Sequence, residues 1–177
     1  MPAAPWNDWH VEIRPAVPGD FEALGELTVM AYEALFDEPL GGYEHELRDV
    51  ARRAADSEVL VAVGGDEVLG GVTYVPSSGQ AMSEFDDEHA AGIRMLAVDP
   101  RHQGEGVGRA LVKECVSRAR AAGRDRIVLH STTYMTAAQA LYRSVGFDRA
   151  ADLDVSVIDE PYSEESPLIL MAFVLEL

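Results

Sequence analysis

The stretch that most restricts the fold is residues 93–111, IRMLAVDPRHQGEGVGRAL. Ile93 to Val98 is an apolar run of strand length, Asp99-Pro100 signals a turn, and a glycine-rich loop then feeds a helix that continues as VKECVSRARAAG. A strand, a loop and a helix packed in succession place the chain among α/β architectures. Glycines let a backbone approach an anion without a Cβ in the way, and the first N–H groups of a helix have no intrahelical partner. With the helix dipole, such a loop can hold a phosphate or pyrophosphate. The other reading of these glycines is a helix start with a tight turn. A Walker loop needs Gly-Lys-Ser/Thr, which does not occur here. A dinucleotide fingerprint belongs after the first strand, whereas this loop follows the fourth.

Taken in order, residues 1–9 read as a loose lead-in and HVEIRPA (10–16) as a first strand stopped by Pro15 and Pro18. Asp20 is the expected cap of a helix with Phe21, Leu24, Leu27 or Thr28, Ala31 and Leu35 on one stripe. After the loop FDEPLGGY, EHELRDVARRAADS predicts a second helix with Leu47, Val50 and Ala54 inward. Two β-prone runs flank Gly64-Gly65-Asp66 and predict a hairpin. PSSGQAMSEFDDEHAAG is an acidic, aperiodic loop, and loops of this length beside a site are often functional. Then come the fourth strand, a helix with Val107, Leu111, Cys115 or Glu114, and Ala119 inward, a strand RIVLHST, a helix YMTAAQALYRSVG, a strand and turn in FDRAADLDVSVIDE, and the apolar closing strand SPLILMAFVLEL. The order is β-α-α-β-β-β-α-β-α-β-β, an α/β (α+β) chain with a mixed sheet and one domain over 1–177.

The net charge of −17 is unevenly spread. Arg94 to Arg149 holds ten basic and five acidic residues, while the rest of the chain holds four basic and 26 acidic. The electropositive part is thus the part with the phosphate-loop signature. An acidic surface disfavours nucleic acid as a partner; it suits a cationic substrate such as an amine, or solubility alone. No apolar run approaches the length of a membrane span, the N-terminus has no basic region followed by an apolar stretch, and the single cysteine, Cys115, lies mid-helix. The expectations are a cytoplasmic protein with no membrane partner, no metal and an inert thiol. One lysine among fourteen basic residues, with abundant Ala, Val and Gly, suggests a GC-rich bacterial source.

Strand 93–98, the LAVDP turn, the loop Gln103-x-x-Gly106-x-Gly108 and the later ALYRSVGF resemble the GNAT superfamily, the GCN5-related N-acetyltransferases. The resemblance is specific over residues 91–147, the expected cofactor segment. It implies a splayed central strand pair, 93–98 against 126–131, with acetyl-CoA between them. It further implies that Leu96, Ala97 and Val98 hold the pantetheine and thioester. Gln103, Gly104, Glu105, Gly106, Val107, Gly108 and Arg109 would hold the pyrophosphate; by their own charge and place, Arg101, Arg109 and His102 can add positive charge at the rim. Tyr142 is the implied acid for the departing thiolate; its ring could instead simply pack against the cofactor. The acceptor implied is a primary amine of a small molecule or peptide, attacking directly with no acyl-enzyme.

Two positions depart from the family. Many members carry Glu where this chain has Gly92, and many carry Asn where it has Met135; Gln139 lies one turn before Tyr142. Strict alternation puts Gly92, Arg94 and Leu96 on one face. There Arg94 would bind a substrate carboxylate or form a structural ion pair. Substitute bases could come from Glu84, Asp86, Asp87, Glu88, His89 or His130, with Arg94 and Glu88 taken as candidate substrate-binding residues. Tyr32, Phe36, Tyr43, Glu44 and His45 form a candidate specificity wall. The other function carried is a catalytically silent acyl-CoA-binding regulatory module, and a third is a small-molecule binding domain acting in a complex. Oligomeric state stays open, a homodimer being common among relatives.

Overall fold

The computed structural model describes residues 11–36, 39–158 and 162–177. The expected lead-in over 1–9, His10 of the first strand, residues 37 and 38 of the loop after the first helix, and residues 159–161 after FDRAADLDVSVI lie outside the described residues. Strands β1 (Val11–Pro15), β2 (Glu58–Gly64), β3 (Glu67–Val75), β4 (Ala90–Val98), β5 (Arg126–Ser131), β6 (Asp148–Arg149), β7 (Val155–Val157) and β8 (Leu168–Glu176) alternate with helices α1 (Phe21–Glu33), α2 (Tyr43–Arg48), α3 (Val50–Asp56), α4 (Val107–Ala121) and α5 (Thr136–Val145). The sheet runs β1-β2-β3-β4-β5-β8-β6, with β7 on β8. The β4–β5 pair is parallel and every other pair antiparallel, giving the mixed sheet expected.

Each face of the sheet carries its own core. Leu111, Val112 and Cys115 of α4 pack against Ile93, Ile127 and Leu129 on one face. On the other, Leu27 and Tyr32 of α1 and Leu47 of α2 meet Met95 and Ala97. The closing strand lies between β5 and β6, but only Ala172 and Phe173 of β8 are buried.

Three expectations change. The second helix is two, because Asp49 sits at φ −80°, ψ 71° and its side chain accepts from the Arg52 N–H at 3.0 Å, capping α3 afresh. Asp20 does not cap α1; its carboxylate takes the Arg14 guanidinium at 2.6 and 3.0 Å and the Val17 N–H at 2.8 Å. The third change is in β4. Arg94 pairs with Thr73 and Ala97 with Gly71, so Met95 and Leu96 together oppose Val72. Met95 has φ +51°, the one described non-glycine residue in that region. This β-bulge reverses the alternation. Ile93 faces α4 before it; after it Leu96 and Val98 face that side while Met95 and Ala97 face α1. Leu96 therefore does not share a face with Gly92 and Arg94.

Beside the bulge β3 comes very near. A Cβ on Gly70 would lie 2.6 Å from the Ala97 carbonyl oxygen, a backbone atom that cannot swing aside. Gly70→Ala is expected to destabilise the fold by about 1–3 kcal/mol, read as a lower denaturation midpoint. Wild-type stability would show that the two strands have room to part.

Candidate active site

The bulge opens a cleft. β4 pairs with β5 only from Ala90 to Ile93, opposite Arg126 to Leu129. Beyond Ile93, β4 stays with β3, while His130 and Ser131 stay with Ala172 and Met171 of β8. The strands part, and among the described residues no strand lies beside the β5-facing backbone of Leu96, Ala97 and Val98. The cleft, about 470 Å³ with its open mouth included, is lined among others by Tyr32, Arg94, Leu96, His130 and Tyr142.

At one end lies the glycine loop. Gly104 and Gly106 have φ +82° and +89°, with open space where a Cβ would stand. Gly106 is the residue before α4. Among the described residues, the N–H groups of Gly104, Gly106, Val107, Gly108 and Arg109 meet no backbone acceptor. A Cβ on Gly108 would press to 3.2 Å from Leu141, so this glycine lets α4 sit close to α5. Arg109 donates to the Ser144 hydroxyl of α5 at 2.8 Å. Arg101, expected at the rim, is held by Asp99 at 2.7 Å and Glu67 at 2.6 Å. His102 and Glu105 pair with each other at 2.9 Å.

Tyr142 reaches the cleft from α5, packed between Phe147 and Phe173 with ring centroids 5.9 and 6.3 Å away. Burial pushes its phenol pKa up, so the hydroxyl keeps its proton. Gly146 closes the helix at φ +112°, its N–H bonded to the Tyr142 and Arg143 carbonyls. Gln139 is spent on the Thr132 carbonyl at 2.7 Å, so its role is local. Cys115 is fully buried, and burial raises its thiol pKa far from that of a nucleophile.

The other end of the cleft brings together residues that the sequence offers only singly. Glu84, from the β3–β4 loop, bridges Arg94 Nη2 at 2.9 Å and His130 Nδ1 at 3.5 Å. His130 Nε2 lies 3.1 Å from the Leu153 carbonyl. Both ring nitrogens thus face acceptors, which favours the doubly protonated imidazolium. Desolvation works against that charge, but the hydrogen bonds to Glu84 and Leu153 outweigh it, and the His130 pKa is raised. Burial likewise works against the Glu84 carboxylate, but His130 and Arg94 outweigh it, and its pKa is lowered. The position of Glu84 is set by its neighbour: a Cβ on Gly92 would lie 2.5 Å from the Phe85 ring, which fills the space that Gly92 leaves.

The other candidates lie elsewhere. Glu88 precedes β4, at the end away from the opening, and its side chain is 86% exposed beside His89. His89 itself lies near Asp125, at the start of β5. Asp87 is near Arg126. Of the aromatic group, Tyr32 lines the cleft, Tyr43 stacks edgewise on Tyr32, and Phe36 meets Tyr134. Glu44 pairs with Arg48 and His45 is exposed. Arg53 of α3 was missed: it is 3% exposed, donating to the Thr73 hydroxyl at 3.2 Å and the Leu47 carbonyl at 2.8 Å. Its signal in the sequence was its place three residues after the inward Val50.

Fold and cleft define a mixed-sheet domain with an anion-ready helix start beside a parted parallel pair. Residues 23–147 match the Acetyltransferase (GNAT) family, and the chain belongs to it. It is 30% identical to a mycothiol acetyltransferase of Cellulomonas flavigena, across 94% of this chain and 48% of that protein. It is 28% identical to the streptothricin acetyltransferase of Streptomyces lavendulae, across 77% of this chain and 80% of that one. A solved ribosomal-protein-alanine N-acetyltransferase from Brucella melitensis superposes with a TM-score of 0.68 at 25% identity, covering 94% of this chain and 99% of that one. The chain spans 35%, 36%, 23% and 48% of the length of four of the curated relatives it matches. Among the described residues, no helix is long and apolar enough to cross a membrane.

The opposed shifts of Glu84 and His130 set a pH window. A raised histidine pKa gives stability that is whole below its ordinary 6.5 and is lost as pH rises through the folded value. A lowered carboxylate pKa gives stability that is whole above its ordinary 4.5 and is lost as pH falls through the folded value. The melting-temperature advantage of wild type over Glu84→Gln is therefore greatest between pH 4.5 and 6.5. It shrinks on the alkaline side to the part that Arg94 retains. A flat difference to high pH would mean that His130 is not charged beside Glu84.

Proposed function

We propose that the protein transfers acetyl from acetyl-CoA to a primary amine of a small molecule or peptide by direct attack, as a single catalytic unit. The observation that carries this reading is the parting of β4 and β5 after Ile93, with unpartnered backbone on one wall and the glycine loop at its end. The residues fit the cofactor. Gly104 and Gly106 leave a cradle free of Cβ atoms, and the free N–H groups of Gly104 and of Gly106 to Arg109 suit a pyrophosphate. The backbone of Leu96 to Val98 would hold the pantetheine arm as a strand holds a neighbour. When bound, acetyl-CoA supplies the acyl thioester.

The chain's own work is then to orient, polarise and move protons. A β4 N–H directed at the thioester oxygen stabilises negative charge growing there. Tyr142, kept protonated by burial, donates its hydroxyl proton to the departing sulfur. Glu84 is the carboxylate at the acceptor end and attracts the incoming ammonium; because its lowered pKa makes it a weak base, the ammonium gives its proton to water before the neutral amine attacks. The buried Cys115 suits a route with no acyl-enzyme. The relatives are named for mycothiol, streptothricin and ribosomal-protein alanine, and names this varied do not choose one acceptor for this chain.

Thiol release from acetyl-CoA over a panel of amines tests this. Turnover is expected, with kcat lowered about 10²-fold or more in Tyr142→Phe and cofactor affinity largely kept. Tight acetyl-CoA binding without turnover on any amine would instead support the silent binding module. Absence of coenzyme A binding would overturn both.

A further inference from the structure

The acceptor end of the cleft holds more positive charge than an amine site needs. Arg94 lines the cleft with its side chain 19% exposed. Of its five guanidinium donors, one meets Glu84 at 2.9 Å and another makes a long 3.4 Å contact with the Met82 carbonyl. Behind it lies Arg53. Thr73 stands opposite Arg94 in the β3–β4 ladder, and directly opposed residues share a sheet face. Arg53 donates to the Thr73 hydroxyl, so both arginines lie on the α1 side.

Arg53 is buried without a salt bridge among the described residues, and its Nε has no hydrogen-bond partner. A buried cation without a counterion is costly, and burial accordingly lowers its pKa. Glu84 does not balance the group, because His130 also draws on it. Two of the next carboxylates are committed, Asp154 to Arg149 at 2.7 Å and Asp49 to the α3 cap, and Glu46, whose charge acts on Tyr43, pairs with neither arginine among the described residues. The tyrosines here, Tyr32 and Tyr43, are neutral because burial raises their pKa values. Arg94 and His130 thus share one carboxylate and Arg53 has none paired with it among the described residues, inside a protein whose net charge is −17.

We infer that Arg94 is a specificity residue that binds an anionic oxygen group, a carboxylate or a phosphate, carried by the acceptor amine. This rests on the proposed acetyl transfer and names its substrate class. The free edge of the Arg94 guanidinium matches either group as a two-pronged donor. Arg53 reinforces the field from behind, and Glu84 remains for the ammonium of the same molecule. The acceptor is thereby an amine with an anion nearby, such as an amino acid or short peptide, and not a polyamine.

The test uses matched amines. kcat/KM is measured with alanylalanine against its C-terminal amide, and with aminoethyl phosphate against ethanolamine. Wild type is expected to favour at least one anionic partner about tenfold or more, and the favoured pair names the group. In Arg94→Gln that ratio falls toward one. The double variant Arg94→Gln/Glu84→Gln, which leaves no unpaired carboxylate, keeps the ratio near one if the first variant folds poorly. Equal use of both partners by wild type, or a ratio unchanged in the variants, overturns the inference while leaving acetyl transfer intact. If no amine turns over, calorimetric binding of the same dipeptides to the coenzyme A-loaded protein decides. Arg94-dependent preference for the free carboxylate supports the site, and no preference removes it.

Discussion

The structure depends on one backbone irregularity, the bulge at Met95 and Leu96. A non-glycine residue at φ +51° costs on the order of 1–3 kcal/mol. Burying a methionine contributes about 1.5–3 kcal/mol, and Met95 is 5% exposed among Leu27, Tyr32 and Leu47. The two effects are of similar size, so the α1 core can hold the bulge in place. Its consequences are geometric. β4 turns from β5 toward β3, leaves its backbone unpaired on one side, and aims Leu96 and Val98 at the α4 face. α4 then begins from a left-handed glycine at the end of the opening, and α5 brings Tyr142 to its wall.

The opening divides by charge. At the α4 end the positive groups are mainly backbone, because Arg101 is turned to Asp99 and Glu67. At the other end they are side chains arranged around Glu84. Phe85 fills the space above Gly92 and Glu84 enters beside it, so a loop residue supplies the carboxylate there in place of a strand residue. The same loop therefore helps define both the wall and the charge of this end of the cleft.

Much of this was legible in the residues. The glycine loop, the strand before it, the hairpin around Gly65 and the end of α5 at Gly146 are local signals, and the structure keeps them. The mixed sheet and the family came from those signals together. The bulge was not legible, because nothing in IRMLAV marks Met95 for a positive φ; tertiary packing decides it. The alternation rule accordingly misplaced Leu96. Asp20 looked like a cap, but an arginine six residues earlier claimed it. Asp49 lay inside a helical pattern and became a cap instead. Glu84 could not be chosen over Glu88 from an acidic run, since only the fold of the loop brings one to Arg94 and turns the other outward. Arg53 was not singled out, because only the turn of α3 sets it against Thr73.

The central claim is that the parted β4–β5 pair is the cofactor site. A crystal structure with acetyl-CoA tests it most directly. The predicted result is the pantetheine arm against the backbone of Leu96 to Val98, the pyrophosphate on the N–H groups from Gly104 to Arg109, and the sulfur within reach of the Tyr142 hydroxyl. A cofactor bound elsewhere, or β4 and β5 paired through Val98 with the cleft closed, would contradict it.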